Sequence, residues 1–120
     1  MAKIISGQCH CGKVGFEISE TPERLVNCNC TACRRFGALW GHIEQTAFRR
    51  TGGGDTIAYM HGDRMMAFHS CIECGCTTHW EGHHPEHTHM AVNFRMCEPS
   101  VVAEFQIRNF DGFDTWSFID

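Results

Sequence analysis

Cysteine spacing constrains this chain more than any other feature. Seven of its nine cysteines fall into three short clusters: Cys9-His10-Cys11, Cys28-Asn29-Cys30-Thr31-Ala32-Cys33 and Cys71-Ile72-Glu73-Cys74. A C-x-C pair and a distant C-x-x-C pair together supply four thiolates, the number that a closed tetrahedral zinc site uses. The middle cluster supplies three, which leaves one coordination position open. A closed site next to an open one is the pattern of a structural metal beside a reactive one. Four buried cysteines acting as small hydrophobes would not explain the paired spacing.

The remaining composition fits a small metal-stapled domain. At 120 residues the chain reads as a single zinc-binding domain, residues 1–120, with a modest core that gains from staples. The formal charge of -4 comes without a basic stripe, which argues against a nucleic-acid partner. The apolar run at the start, around Ile4 and Ile5, is too short for a signal peptide, and no stretch is long enough to span a membrane. These features point to the cytoplasm, where clustered cysteines more often bind metal than form disulfides. An odd cysteine count and the tight C-x-C spacing also fit disulfides badly.

Alternation and turn residues predict a mainly β fold with little helix. Lys13–Ile18 reads as a strand with Val14, Phe16 and Ile18 on one side. Further strands are expected at Arg24–Val26, Leu39–Ile43, Thr56–Met60, Met65–Phe68, Thr77–Trp80, Met90–Asn93 and Phe105–Ile107. Gly52-Gly53-Gly54-Asp55 and His61-Gly62-Asp63 are turn chemistry. One helical turn is expected after Thr31, carrying Cys33, Arg34 and Arg35. Cys9 with Cys11, and Cys71 with Cys74, then lie on loops at strand ends. Gly12 and Gly75 follow them as the small residues that let amides turn toward sulfur.

Within the middle cluster, C-x-C-x-x-C spacing lets three sulfurs converge from an extended segment and the first turn of a helix. Zinc held there would keep room for a thiol or a water and would hold that thiol deprotonated at neutral pH. A fourth protein ligand could instead close the site, with Cys76, Cys97 and the histidines as candidates.

The motifs Gly7-Gln8-Cys9-His10-Cys11-Gly12, Cys28 through Arg35, and Phe68 through Gly75 resemble those of the glutathione-dependent formaldehyde-activating enzyme family, also called the centromere protein V domain. The ending Phe110-Asp111-Gly112-Phe113-Asp114-Thr115-Trp116 looks like one common among its bacterial members. The resemblance runs from about Gly7 to the C-terminus. It implies small antiparallel sheets in a β-tent-like arrangement stapled by zinc. It also implies a structural zinc on Cys9, Cys11, Cys71 and Cys74 and a catalytic zinc on Cys28, Cys30 and Cys33. The implied activity is that of a carbon–sulfur lyase, joining formaldehyde to glutathione as co-substrate in S-(hydroxymethyl)glutathione.

Three other readings compete with that activity: a zinc-stabilised binding module without turnover, an enzyme acting on another thiol adduct or small electrophile, and a thiol or metal sensor built on the middle cluster. Arg34 and Arg35 could pair with glutathione carboxylates or form a solvated helix face. Trp40 and Phe36 could wall the site, although aromatic residues in a small β domain are more often core. Five histidines lie between His79 and His89. They suggest a surface loop that could overhang the open metal position and supply a proton. Cys76 and Cys97 read as buried or unpaired thiols.

Overall fold

The computed structural model describes residues 3–60, 62, 64–83 and 88–120. The described residues form ten strands, two short α-helices and two single 3-10 turns. Three strands make one antiparallel sheet: β1 (Ile5–Gln8), β2 (Gly15–Ile18) and β5 (Phe48–Thr51), in the order β1-β2-β5. The other seven are β3 (Leu25–Cys28), β4 (Trp40–Glu44), β6 (Thr56–Tyr59), β7 (Met66–Cys71), β8 (Thr77–Gly82), β9 (His89–Asn93) and β10 (Ile107–Phe110). They form a larger sheet ordered β10-β3-β4-β9-β8-β7-β6.

The expected strands are present with shifted ends, and the mainly β assignment holds. Val14, Phe16 and Ile18 all have 0% exposure, so the side read from alternation is the buried one. Two strands escape sequence patterning. β1 carries serine, glycine and glutamine, and β5 exposes Arg49 and Arg50. Arg49 lies opposite Glu17 of β2 and forms an ion pair with it. Such a cross-strand charge pair supports an edge strand whose propensity is weak. The antiparallel expectation holds for every strand pairing but one among the described residues: β10 runs parallel to β3, with Phe110 level with Cys28, after the chain has passed through α2 (Pro99–Val102).

The large sheet is covered on both faces, and strand alternation decides which side chains go where. Leu25, Ile43, Met90 and Val92 pack with Ile5, Phe16 and Ile18 of the small sheet. The intervening positions Val26, Trp40 and Ala91 pack instead with Phe68, Trp80, Cys28 and Cys33. The middle cysteine cluster therefore belongs to the face turned away from the small sheet. Helix α1 (Cys33–Phe36) closes that face, with the Phe36 ring 4.9 Å from that of Phe68.

Candidate metal centres

The four outer cysteines are brought together from chain segments some sixty residues apart. Cys9 and Cys11 follow β1, whereas Cys71 is the last residue of β7 and Cys74 lies in the turn before β8. The sequence placed Cys71 on a loop beyond the strand. In the structure the strand runs three residues further, past a register shift at His69 and Ser70, and carries Cys71 into the cluster. Such irregularities re-aim side chains beside sites. The four sulfurs lie within 4.8 Å of one another. Cys9 Sγ and Cys71 Sγ each sit 3.6 Å from Cys11 Sγ. A tetrahedral ion with zinc–sulfur bonds of about 2.3 Å separates its ligands by roughly 3.8 Å, so the set fits such an ion.

Backbone geometry supports anionic sulfurs at this cluster. The Val14 amide donates to Cys9 Sγ at 3.4 Å, and the Glu73 amide donates to Cys71 Sγ at 3.4 Å. Amides of Cys11 and Cys76 donate to Cys74 and draw its thiol down to about 5. Gly12 and Gly75 both sit at φ +81, a left-handed conformation that residues with a Cβ rarely adopt. The Gly12 amide closes a turn onto Cys9 O three residues back at 3.0 Å, and the Gly75 amide closes a wider one onto Cys71 O four residues back at 2.9 Å.

Cys28 ends β3, Cys30 follows in a turn, and Cys33 opens α1. Their sulfurs also lie within 4.8 Å of one another. The Cys30 amide donates to Cys28 Sγ at 3.5 Å, and the Cys33 amide donates to Cys30 Sγ at 3.3 Å. The Trp40 indole N–H donates to Cys33 Sγ at 3.3 Å. The hydrogen bond from Cys33 draws the Cys28 thiol down to about 6, and the same bond together with burial pushes Cys33 up. The lowered Cys28 thiol suits the cluster to a cation. Among the described residues, Cys76 and Cys97 join neither converged set. Cys97 is a core thiol pushed up to about 11 by burial.

Residues Asp111, Gly112 and Phe113 lock onto this cluster. Asn29 Nδ2 donates to Asp111 Oδ1 at 3.1 Å, and Asn29 Oδ1 accepts from the Phe113 amide at 3.0 Å. Asp111 also accepts from the amides of Asp114 and Thr115 at 3.2 and 3.1 Å. These bonds hold its carboxyl below the usual carboxylate range, the Thr115 amide contributing most. Gly112 is pressed against the sulfurs and its amide donates to Cys28. A Cβ at Gly112 would come within 2.7 Å of Cys28 Sγ. Nothing in the cysteine spacing announces this clasp. Its sequence signal is the ending Phe110 through Trp116.

A cavity of about 340 Å³ opens beside the middle cluster and is bordered by all three of its cysteines. Trp40, Trp80, Met66, Phe110 and Trp116 contribute walls, with Arg24 and His42 as the cationic residue types. Trp40 is thus a wall residue as well as a core residue. His42 is an exposed residue that borders the cavity. Desolvation there, reinforced by the charges of His89 and Arg24, holds its imidazole down to about 4.

Several other expected site features are placed elsewhere. Arg34 and Arg35 lie on the exposed side of α1, Arg35 donating to Thr31 O at 2.8 Å, and neither borders the cavity. The histidine segment is not simply a surface loop. His79 lies within β8 at 4% exposure, stacked on His69 at 4.6 Å and 4.9 Å from Phe48 of the small sheet. That puts it on the face opposite the cavity. His89 opens β9, and positions 84–87 fall outside the described residues. Alternation had marked Thr77–Trp80 as strand, and it continues to Gly82.

Comparison with known proteins matches these observations. The sequence pattern of the family described as glutathione-dependent formaldehyde-activating enzyme matches residues 4–107. A Halomonas elongata protein provisionally named as such an enzyme is 30% identical over 81 residues. That alignment covers 67% of this chain and 48% of the relative, so the chain spans about half of that protein's length. A crystal structure of a Rhodobacter sphaeroides protein superposes with a TM-score of 0.70 at 26% identity, covering 86% of this chain and 99% of that one. With a match spanning most of its residues and both cysteine sets converged, the chain belongs to the glutathione-dependent formaldehyde-activating enzyme family.

Proposed function

We propose that the protein is a carbon–sulfur lyase-type enzyme that forms and breaks the adduct of a thiol with formaldehyde or a similar small aldehyde. Glutathione is the reference thiol, and S-(hydroxymethyl)glutathione the reference adduct. The observation that carries this reading is an asymmetry between clusters: all three middle sulfurs border the cavity of about 340 Å³, and the four outer cysteines do not border it. Zinc is the metal that the all-thiolate donor sets favour. In this reading Cys9, Cys11, Cys71 and Cys74 hold a structural ion, and Cys28, Cys30 and Cys33 hold a catalytic one.

When bound at the middle cluster, the ion would supply Lewis acidity and stabilise an anionic sulfur. The chain's own residues supply the rest. In the forward direction the thiol loses its proton, its sulfur bonds to the carbonyl carbon, and the former carbonyl oxygen gains a proton. The reverse direction breaks the same carbon–sulfur bond, and neither direction involves a redox change. The Gly112 and Cys30 amides and the Trp40 indole hold the sulfurs in place. The cavity brings thiol and aldehyde together, and for an intrinsically easy addition proximity is most of what catalysis must provide. His42 borders the cavity as a neutral imidazole, able to donate a hydrogen bond to the developing oxygen. His79 is on the wrong face for that task.

Exchange NMR between formaldehyde and S-(hydroxymethyl)glutathione, with and without zinc-replete protein, tests the proposal. Acceleration that disappears in Cys30→Ser is the expected result. If wild-type protein with zinc bound produces no acceleration with any thiol, the lyase reading is wrong.

A further inference from the structure

The cavity has a chemical character that a polar tripeptide does not require. Its volume of about 340 Å³ lies at the lower end of the range for small-molecule sites and is far more than formaldehyde requires. The walls are mostly aromatic and aliphatic: Val26, Trp40, Met66, Trp80 and Phe110 from the sheet, and Trp116 and Phe118 from the tail. Phe110 braces both tail aromatics. The Phe110 ring lies 5.2 Å from that of Trp116 and 5.1 Å from that of Phe118, both edge-on. Flat apolar surfaces in edge-to-face arrays favour a flat apolar guest.

Apart from the cysteine sulfurs, charged side-chain types at the rim are few. Of the bordering side chains, Arg24 and His42 alone are cationic types, and His42 is held neutral at pH 7 by its surroundings. Arg24 therefore carries the lasting positive charge. Its guanidinium lies 5.6 Å from the Phe118 ring centre, and its other partner is the exposed Glu23 carboxylate at 3.0 Å. A surface ion pair of this kind is weak, so a ligand carboxylate can replace it. Among the described residues, no carboxylate borders the cavity to receive a ligand ammonium.

The tail that forms one wall lies beyond the segment matched by the family pattern, which stops at residue 107. Trp116 is also held at φ +56, a conformation that a bulky side chain adopts only under constraint. Its amide is fixed to Asp111 O at 2.7 Å. The clasp thus spends conformational strain on keeping this indole at the cavity.

We infer that the cavity beside Cys28, Cys30 and Cys33 is a subsite for an aromatic or similarly flat apolar thiol bearing one carboxylate, with Arg24 as the carboxylate partner and Trp116 as a specificity-determining wall. This rests on the lyase reading for its chemistry and narrows the thiol class. Isothermal titration calorimetry on zinc-replete protein tests it with three probes: mercaptophenylacetate, benzyl mercaptan and glutathione. Mercaptophenylacetate should bind about tenfold or more tightly than glutathione. Arg24→Gln should weaken mercaptophenylacetate by about tenfold while leaving benzyl mercaptan within about twofold. Trp116→Ala, a change at an exposed side chain that leaves the core alone, should weaken both aromatic probes about fivefold. Glutathione binding as tightly as mercaptophenylacetate would overturn the inference, as would Arg24→Gln weakening all three thiols equally or none. Formaldehyde exchange measured on the same samples separates the two readings. Selective binding without exchange for any thiol would retain the subsite and remove the lyase. Exchange with glutathione but no selectivity would do the reverse.

Discussion

The two cysteine clusters use the same chemistry in opposite structural circumstances. The outer four sulfurs join segments far apart in sequence and sit where the start of the small sheet meets the end of β7. A metal there closes a loop of about sixty residues, a constraint worth several kcal/mol against the unfolded chain. The middle three sulfurs span six residues at the end of one strand and the start of one helix, so a metal there restrains little that is not already local. In place of a fourth cysteine they have a cavity on one side and the C-terminal clasp on another. On the proposed division, distance along the chain would separate a staple from a working site more clearly than ligand type does.

The largest expected effect follows from the staple. Cys71→Ser should remove the outer ion and lower stability by about 5 kcal/mol or more, a large part of what a domain this size possesses. In thermal unfolding that corresponds to a drop of about 20 °C. A variant with unchanged melting would make the outer set dispensable and dissolve the comparison.

Next in size, Cys30→Ser should abolish formaldehyde exchange while circular dichroism and one equivalent of bound metal persist. Loss of the fold in this variant would mean that the middle cluster is structural too. A smaller effect is expected at Gly112→Ala, whose new Cβ would meet Cys28 Sγ at 2.7 Å. Disturbing a group that orients a ligand typically costs 10- to 100-fold in metal affinity or activity. Competition with a chromophoric chelator should show that loss at the middle cluster alone. Equal weakening of both ions would place Gly112 in the general fold.

The smallest effect is a pH dependence between the sheets. Burial of His79 first, then the charges of His69 and Arg50, lower its pKa from 6.5 to about 3. The unfolded chain then binds more protons between those values, so the neutral buried ring contributes full stability above pH 6.5 and loses it as pH falls toward 3. By pH 5 the loss is about 2 kcal/mol at most. His79→Phe should therefore narrow the fall in urea midpoint between pH 7 and pH 5. An identical fall in both proteins would assign the acid sensitivity to other groups.

Much of this organisation is legible in the chain. Paired cysteines at fixed spacing announced both converged sets, and period-two alternation placed Val14, Phe16 and Ile18 in the core. What escaped has physical reasons. β5 is held by a cross-strand ion pair with Glu17, so its arginines do not resemble a strand. The parallel pairing of β10 with β3 is a long-range contact with no local signature. Arg24 enters the cavity through topology, whereas Arg34 and Arg35, adjacent to the cysteines in sequence, project outward from a four-residue helix. His79 shows how a His-rich composition misleads when part of the segment is a buried strand.

The central claim is that the two clusters are thermodynamically separable, one holding the fold and the other doing chemistry. Stepwise chelator titration of zinc-loaded protein tests it most directly, with near-UV circular dichroism and formaldehyde exchange followed on the same sample. The expected result is two steps: exchange activity lost with the first equivalent of zinc while the dichroism is unchanged, and the fold lost with the second. A single step in which activity and fold disappear together would contradict the division.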